Sequence, residues 1–107
     1  MVAARTPLTA AATPLSVAYV DDGATLLTSP GMAPLRVHDL PDLDGARRWL
    51  RLMHRIDRCE LEVTPGGLRA ELIGVGHRLP VRRVVPVRIA LGLFHLGVPT
   101  SVVGAGC

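Results

Sequence analysis

Arginine is the residue type in this chain with the clearest capacity for chemistry, since all twelve basic side chains are arginine and lysine is absent. Arg47, Arg51 and Arg55 recur at intervals of four, so a helix through them would carry their guanidinium groups on one face. Such a row can bind a phosphate backbone or an acidic partner helix. The alternative is a solvated helix face, partly balanced by Asp44 and Asp57.

A second group of arginines has no acidic residue among it and consists of Arg78, Arg82, Arg83 and Arg88. Arg82 and Arg83 precede a predicted helix N-terminus, where free backbone amides add positive potential and favour an anion. The alternative is a charged connector that keeps a sheet edge soluble. The chain also lacks asparagine and has only three isoleucines, and the codons of these residues and of lysine are mostly A/T-rich, so part of the arginine content reflects codon usage in a G+C-rich genome.

Histidine and cysteine form neither a metal site nor a clear catalytic pattern. The four histidines fall on separate predicted elements, without a pair at ligand spacing: His38, His54, His77 and His95. Cys59 and Cys107 are far apart and outside any C-x-x-C motif, so both are expected to be reduced. His38 and Asp39 could form a nucleophile set with Cys59, but no signature flanks the cysteine, and its neighbours predict an inert packing residue.

Cofactor motifs are absent from the sequence. Gly74-x-Gly76 lacks the third glycine of a dinucleotide fingerprint, and without lysine neither a Walker motif nor a Schiff-base enzyme is possible. Only Tyr19, Trp49 and Phe94 are aromatic, which argues against single-strand nucleic-acid binding through stacked bases. We therefore expect no metal, no cofactor and no catalytic residue.

The elements that position the arginines begin after a flexible Ala/Thr/Pro-rich leader, residues 1–14, and residues 15–107 are expected to form one α+β domain. A hairpin is predicted from Leu15 to Val20 and from Ala24 to Thr28, and the next strand is predicted from Leu35 to His38. A helix is predicted from Leu43 to Ile56, because Trp49, Leu52, Met53 and Ile56 recur at helical spacing. Asp42 or Asp44 can cap its N-terminus.

The clearest prediction is a β-hairpin with Pro65-Gly66 at its turn. Pairing Thr64 with Gly67 places Val63 opposite Leu68 and Leu61 opposite Ala70 on the buried face. The same register places Glu62 opposite Arg69 and Glu60 opposite Glu71 on the solvent-exposed face. The two glutamates are in mild conflict, which Arg58 can relieve.

The carboxy-terminal part begins with a basic connector, residues 77–88, that leads into a helix from Val87 to Leu96. Pro86 suits the start of this helix and Gly97 its end. The helix is apolar almost all round, so it is a buried core helix, an oligomer or partner surface, or a tail anchor. Its candidate interface residues are Ile89, Leu93, Phe94 and Leu96. Val98 to Val103 is the last predicted strand.

The order of elements over residues 35–103 is that of a ferredoxin-like βαββαβ sandwich, with two helices on one face of a four-stranded antiparallel sheet. The fold does not define an activity. The main hypothesis is a small cytoplasmic, non-catalytic accessory module that acts through protein–protein association, with a protein partner or as a homo-oligomer. The alternatives are an arginine-rich nucleic-acid-binding or regulatory protein and a subunit of an enzyme, and a membrane is the least favoured partner.

Overall fold

Two β-sheets and two helices form this α+β protein, in a computed structural model that describes residues 13–19, 25–28 and 33–103. The α+β class predicted from the sequence is confirmed. The strands are β1 Thr13–Pro14, β2 Ser16–Tyr19, β3 Thr25–Thr28, β4 Leu35–Val37, β5 Arg55–Thr64, β6 Gly67–Val75, β7 Pro80–Val85 and β8 Thr100–Val103. The helices are α1 Leu43–Leu52 and α2 Val87–His95.

The larger sheet has five strands in the order β1-β8-β5-β6-β7, and the smaller one has the order β2-β3-β4. Neighbours in the larger sheet pair antiparallel except β5 and β8, which are parallel, because the chain returns from β7 through α2 before it adds β8. α2 packs on β5 and β6, and α1 packs on α2. Both helices therefore lie on one side of the larger sheet.

The ferredoxin-like order is not confirmed, because the strand at Leu35–Val37 belongs to the smaller sheet. It pairs with β3, where Val37 lies opposite Thr25. The hydroxyl of Thr25 also donates to the carbonyl oxygen of Asp39 at 3.3 Å, which holds the end of β4 against β3. The predicted four-stranded antiparallel sheet is wrong, since the larger sheet has five strands and one parallel pair.

The first helix is shorter than predicted. Asp42 caps its N-terminus, with the side chain accepting from the amide of Gly45 at 2.7 Å. The helix ends at Leu52, and the amide of His54 then donates to the carbonyl of Val75 at 2.7 Å. This bond brings the chain into the sheet, so Ile56 lies in a strand instead of a helix.

The predicted β5–β6 hairpin is confirmed, including its register. Thr64 pairs with Gly67, Leu61 with Ala70, and Glu60 with Glu71. Leu61 and Ala70 are buried against the helices, as the alternation requires.

The N-terminal hairpin is confirmed in its pairing, with Val17 opposite Leu27. Its turn lies outside the described residues, as do residues 1–12 of the expected leader. The last two leader residues, Thr13 and Pro14, form β1 and pair with β8.

The two helices meet through glycine. A Cβ at Gly45 would lie 2.5 Å from Cδ1 of Ile89, and a Cβ at Gly92 would lie 2.5 Å from the backbone oxygen of Asp42. The amide of Asp42 donates to the carbonyl of Arg88 at 3.1 Å across the same contact. The helices are therefore closer than larger side chains would permit, and this fixes α2 over the sheet.

Candidate functional site

The arginine row predicted for the first helix does not form. Arg47 and Arg51 lie on α1, but Arg55 is the first residue of β5. Arg47 pairs with Asp44 at 3.4 Å and Arg55 pairs with Asp57 at 2.9 Å, both exposed. Only Arg51 of the three lacks an ion-pair partner among the described residues, so this face offers no continuous track for phosphates.

Arg82 belongs to an ion-pair network on the sheet face opposite the helices. Its Nη2 atom lies 3.1 Å from Oε1 of Glu60 and 2.9 Å from Oε1 of Glu71. These two glutamates are the cross-strand neighbours that sequence analysis placed in conflict. Their side chains are 12% and 13% exposed, so the charge of Arg82 is neutralised by two largely buried carboxylates of its own chain.

The network continues across the three strands β5, β6 and β7. Arg58 binds Glu60 at 2.9 Å, as the sequence predicts, and Arg69 binds Glu71 at 3.4 Å. Arg69 also reaches Glu62 at 3.5 Å. We call these six residues the ion-pair network: Arg58, Glu60, Glu62, Arg69, Glu71 and Arg82. Three positive and three negative charges cancel, so this face does not attract a polyanion.

The basic segment predicted as a connector contains an edge strand, β7, which ends the larger sheet beyond β6. Leu79, just before it, is 69% exposed, and Val84 within it is 57% exposed. We call the side of Pro80–Val85 that faces away from β6 the β7 edge. Neither apolar residue was predicted as a site, because the sequence Val81-Arg82-Arg83-Val84-Val85 does not alternate apolar with polar residues and gives no clear strand signal.

Among the described residues, no strand pairs with the β7 edge. The amide of Gly76 donates to the carbonyl of Leu79 at 2.9 Å. This bond determines which residues of the β6–β7 hairpin turn their backbone groups toward the neighbouring strand. Because successive residues of a strand turn their N–H and C=O groups to opposite sides, Arg83 directs its backbone toward β6. Arg82 and Val84 direct theirs outward, so each offers one donor and one acceptor to a further strand.

Positive charge flanks the β7 edge. Arg83 is exposed and lies on the helix-side face of the sheet, as its pairing with the buried Leu72 shows. Arg78 precedes the strand at a turn, with a φ of 76°, and Arg88 follows it in the first turn of α2. None of the three has an ion-pair partner within the part of the chain that the structure describes.

The second helix is covered by its own chain. Ile89 and Leu93, which sequence analysis offered as interface residues, are buried against α1 and the sheet and are not available to a partner. Phe94 and Leu96 are half-buried and pack on the same core. Among residues 13–19, 25–28 and 33–103, no helix is both long and apolar enough to cross a bilayer.

His38 and Asp39 line an open cavity of about 470 Å³ between β4 and the turn end of the β5–β6 hairpin. Leu35, Val63 and Leu68 form much of its apolar wall. A metal-binding group of three or more acidic, histidine or cysteine side chains does not occur in the described ranges. The cavity can hold a small apolar group, but its histidine and carboxylate are both exposed.

Cys59 does not join His38 and Asp39. Its side chain is fully buried between the sheet and the helices, and this burial raises the pKa of the thiol to about 12. A protonated, inaccessible thiol is a poor nucleophile. The nucleophile set that the sequence permits is therefore not assembled.

Comparisons with known proteins return nothing for this chain, whether against family models, curated proteins or solved structures.

Proposed function

We propose that the protein is a small binding module that associates with another polypeptide through the β7 edge, by adding a strand to the larger sheet. The observation that carries this proposal is a regular edge strand with outward backbone groups beside the exposed Leu79 and Val84. An added strand would satisfy the backbone of Arg82 and Val84 and cover apolar surface. This form of association needs neither a cofactor nor a catalytic group.

Nucleic-acid binding is the alternative, and it rests on the arginines without ion-pair partners in the described chain. Arg48 and Arg51 lie on α1 and Arg36 lies on β4, whereas Arg78, Arg83 and Arg88 lie around β7. These positions are divided between a helix surface and two different sheets. Strand addition is favoured because the edge also presents backbone groups and apolar side chains, which phosphates do not use.

The proposal is tested by blocking the β7 edge. Val84→Pro removes one outward N–H, and proline is tolerated at the edge of a sheet. Val84→Thr is the matched control, because it keeps the N–H and the β-branched shape. Circular dichroism confirms that each variant is folded.

Two measurements follow on the full chain: its mass by light scattering over a wide concentration range, and its binding to a neutral peptide of alternating valine and threonine. We expect self-association or peptide binding in the wild type and in Val84→Thr, and its loss in Val84→Pro. A wild-type chain that stays monomeric and binds no strand peptide of any charge would refute the proposal.

A further inference from the structure

The charges on β7 distinguish between the polypeptides that could pair with its edge. Two copies could pair their β7 edges as antiparallel strands related by a two-fold axis. Such a pair forms the most backbone hydrogen bonds between the copies when the axis passes beside Arg82 or Arg83, so that this residue lies opposite itself. An axis at Arg83 places this exposed arginine directly opposite its own copy, and like charges in that position are destabilising. An axis at Arg82 brings Pro80, which has no N–H to donate, opposite Val84. Both arrangements therefore disfavour a second copy, one through Arg83 and the other through Pro80.

Other symmetric registers lose backbone bonds. An axis at Val81 brings Pro80 opposite Arg82, and an axis at Val84 brings Pro86 opposite Arg82. Proline has no N–H to donate, and the carbonyl oxygen of Pro86 already accepts from the amides of Ile89 and Ala90 at 3.0 and 3.1 Å, so these registers form fewer bonds. The two prolines that bracket the strand thus act together with Arg83 against self-pairing.

The same residues favour an acidic partner. After Glu71 the sequence contains no acidic residue, while Arg78, Arg82, Arg83 and Arg88 all follow it. Arg82 is already neutralised by the ion-pair network. Arg83 is the exposed cation in the middle of the edge, and no carboxylate in the described chain pairs with it.

We propose that the β7 edge binds an extended acidic segment of another protein, which adds as a sixth strand with a carboxylate beside Arg83. This inference rests on the proposed function and names the chemistry of the partner. Because side chains alternate between faces, the residue of the partner beside Val84 lies on the opposite face and is apolar. The recognised pattern is an alternation of acidic and apolar residues.

The test uses the full chain and three blocked peptides that alternate valine with glutamate, with threonine or with lysine. Binding is measured by fluorescence anisotropy at about 0.05 M and 0.2 M salt. Charge-driven binding weakens over this range, whereas binding through backbone hydrogen bonds and apolar contacts does not. We expect the glutamate peptide to bind several-fold more tightly than the threonine peptide, and the lysine peptide not to bind. A glutamate peptide methylated at alternate backbone nitrogens lacks the ladder donors and should lose binding.

Arg83→Glu should lower the affinity for the glutamate peptide by about tenfold, since an attractive cross-strand pair becomes a repulsive one. Arg48→Glu is the matched control, because it makes the same change of charge at an exposed arginine on α1 that also lacks an ion-pair partner in the described chain. It should leave the affinity nearly unchanged. Equal losses in the two variants would mean that only net charge is sensed, and this would overturn the inference.

The remaining outcomes separate the two proposals. Equal binding of the glutamate and threonine peptides overturns the acidic partner but leaves strand addition standing. Undiminished binding of the methylated peptide shows that the backbone is not used and overturns both. Tighter binding of a short DNA duplex than of the glutamate peptide, lost in Arg83→Glu, would assign the edge to nucleic acid and overturn both as well.

Discussion

Replacement of Arg82 by methionine tests whether the ion-pair network contributes to stability. Methionine keeps most of the aliphatic length of arginine but removes the charge that bridges Glu60 and Glu71. These glutamates are the register neighbours on β5 and β6, and their side chains are 12% and 13% exposed. Without Arg82, each keeps one arginine, Arg58 or Arg69, but they face each other unscreened on one side.

The magnitude follows from the geometry and the exposure of the arginine. Arg82 is 44% exposed, so each of its two ion pairs belongs to the solvent-screened range of about 0.2–1 kcal/mol. The like-charge pair that the substitution leaves between Glu60 and Glu71 adds a destabilisation of about 0.2–1 kcal/mol. We therefore expect a loss of about 1–2 kcal/mol in the free energy of unfolding, or roughly 5–10 °C in Tm.

The assay is thermal and urea unfolding followed by circular dichroism at neutral pH. Arg83→Met is the matched control, because the neighbouring arginine lies on the same strand without an ion-pair partner in the described chain, and its loss should change stability by less than about 0.5 kcal/mol. Adding Glu71→Gln to Arg82→Met should recover part of the loss by removing the like-charge pair. The reasoning is refuted if the Arg82 and Arg83 variants unfold at the same temperature.

Two further predictions concern the buried side of the sheet. Gly92→Ala should destabilise the protein by about 1–3 kcal/mol in urea unfolding, because the new Cβ would lie 2.5 Å from the backbone oxygen of Asp42, whereas Gly66→Ala, with open space around it, should be nearly neutral. A Gly92→Ala variant as stable as the wild type would contradict the close helix packing. Because burial raises the pKa of Cys59 from 9.0 to about 12, the folded state holds this proton more tightly than the unfolded chain, so its stabilising effect is complete below pH 9 and is lost as the pH rises toward 12. In a Cys107→Ser background, iodoacetamide at pH 8 should accordingly modify Cys59 only as fast as the protein opens, and rapid modification of the native state would disprove its burial.

Local signals in the sequence were sufficient for the β5–β6 hairpin and for the existence of both helices. The two-residue turn fixes the pairing of Thr64 with Gly67, and from there each buried residue follows by alternation. The end of α1 was mispredicted because Met53 and Ile56 continue the helical spacing. The backbone bond from His54 to Val75 overrides that pattern, and it joins residues that are distant in sequence.

The candidate site was only partly predictable for the same reason. The basic character of Arg78, Arg82, Arg83 and Arg88 is visible in the sequence, but which of them is neutralised depends on strand neighbours. Arg82 reaches Glu60 and Glu71 only because β7 lies beside β6 and all three side chains share one face. Likewise, β4 looked like a member of the main sheet, since its own residues do not specify a partner strand.

The position of β8 has a consequence for how the chain acquires its structure. β8 lies between β1 and β5, although it follows both in sequence, and it joins β5 through residues about forty positions apart. The β5–β6–β7 meander can form early from local contacts, but the other edge of β5 has no partner strand until Thr100–Val103 has been synthesised. We expect a nascent or truncated chain that stops before Thr100 to expose this unpaired edge to other chains and to aggregate more readily than a chain that includes β8.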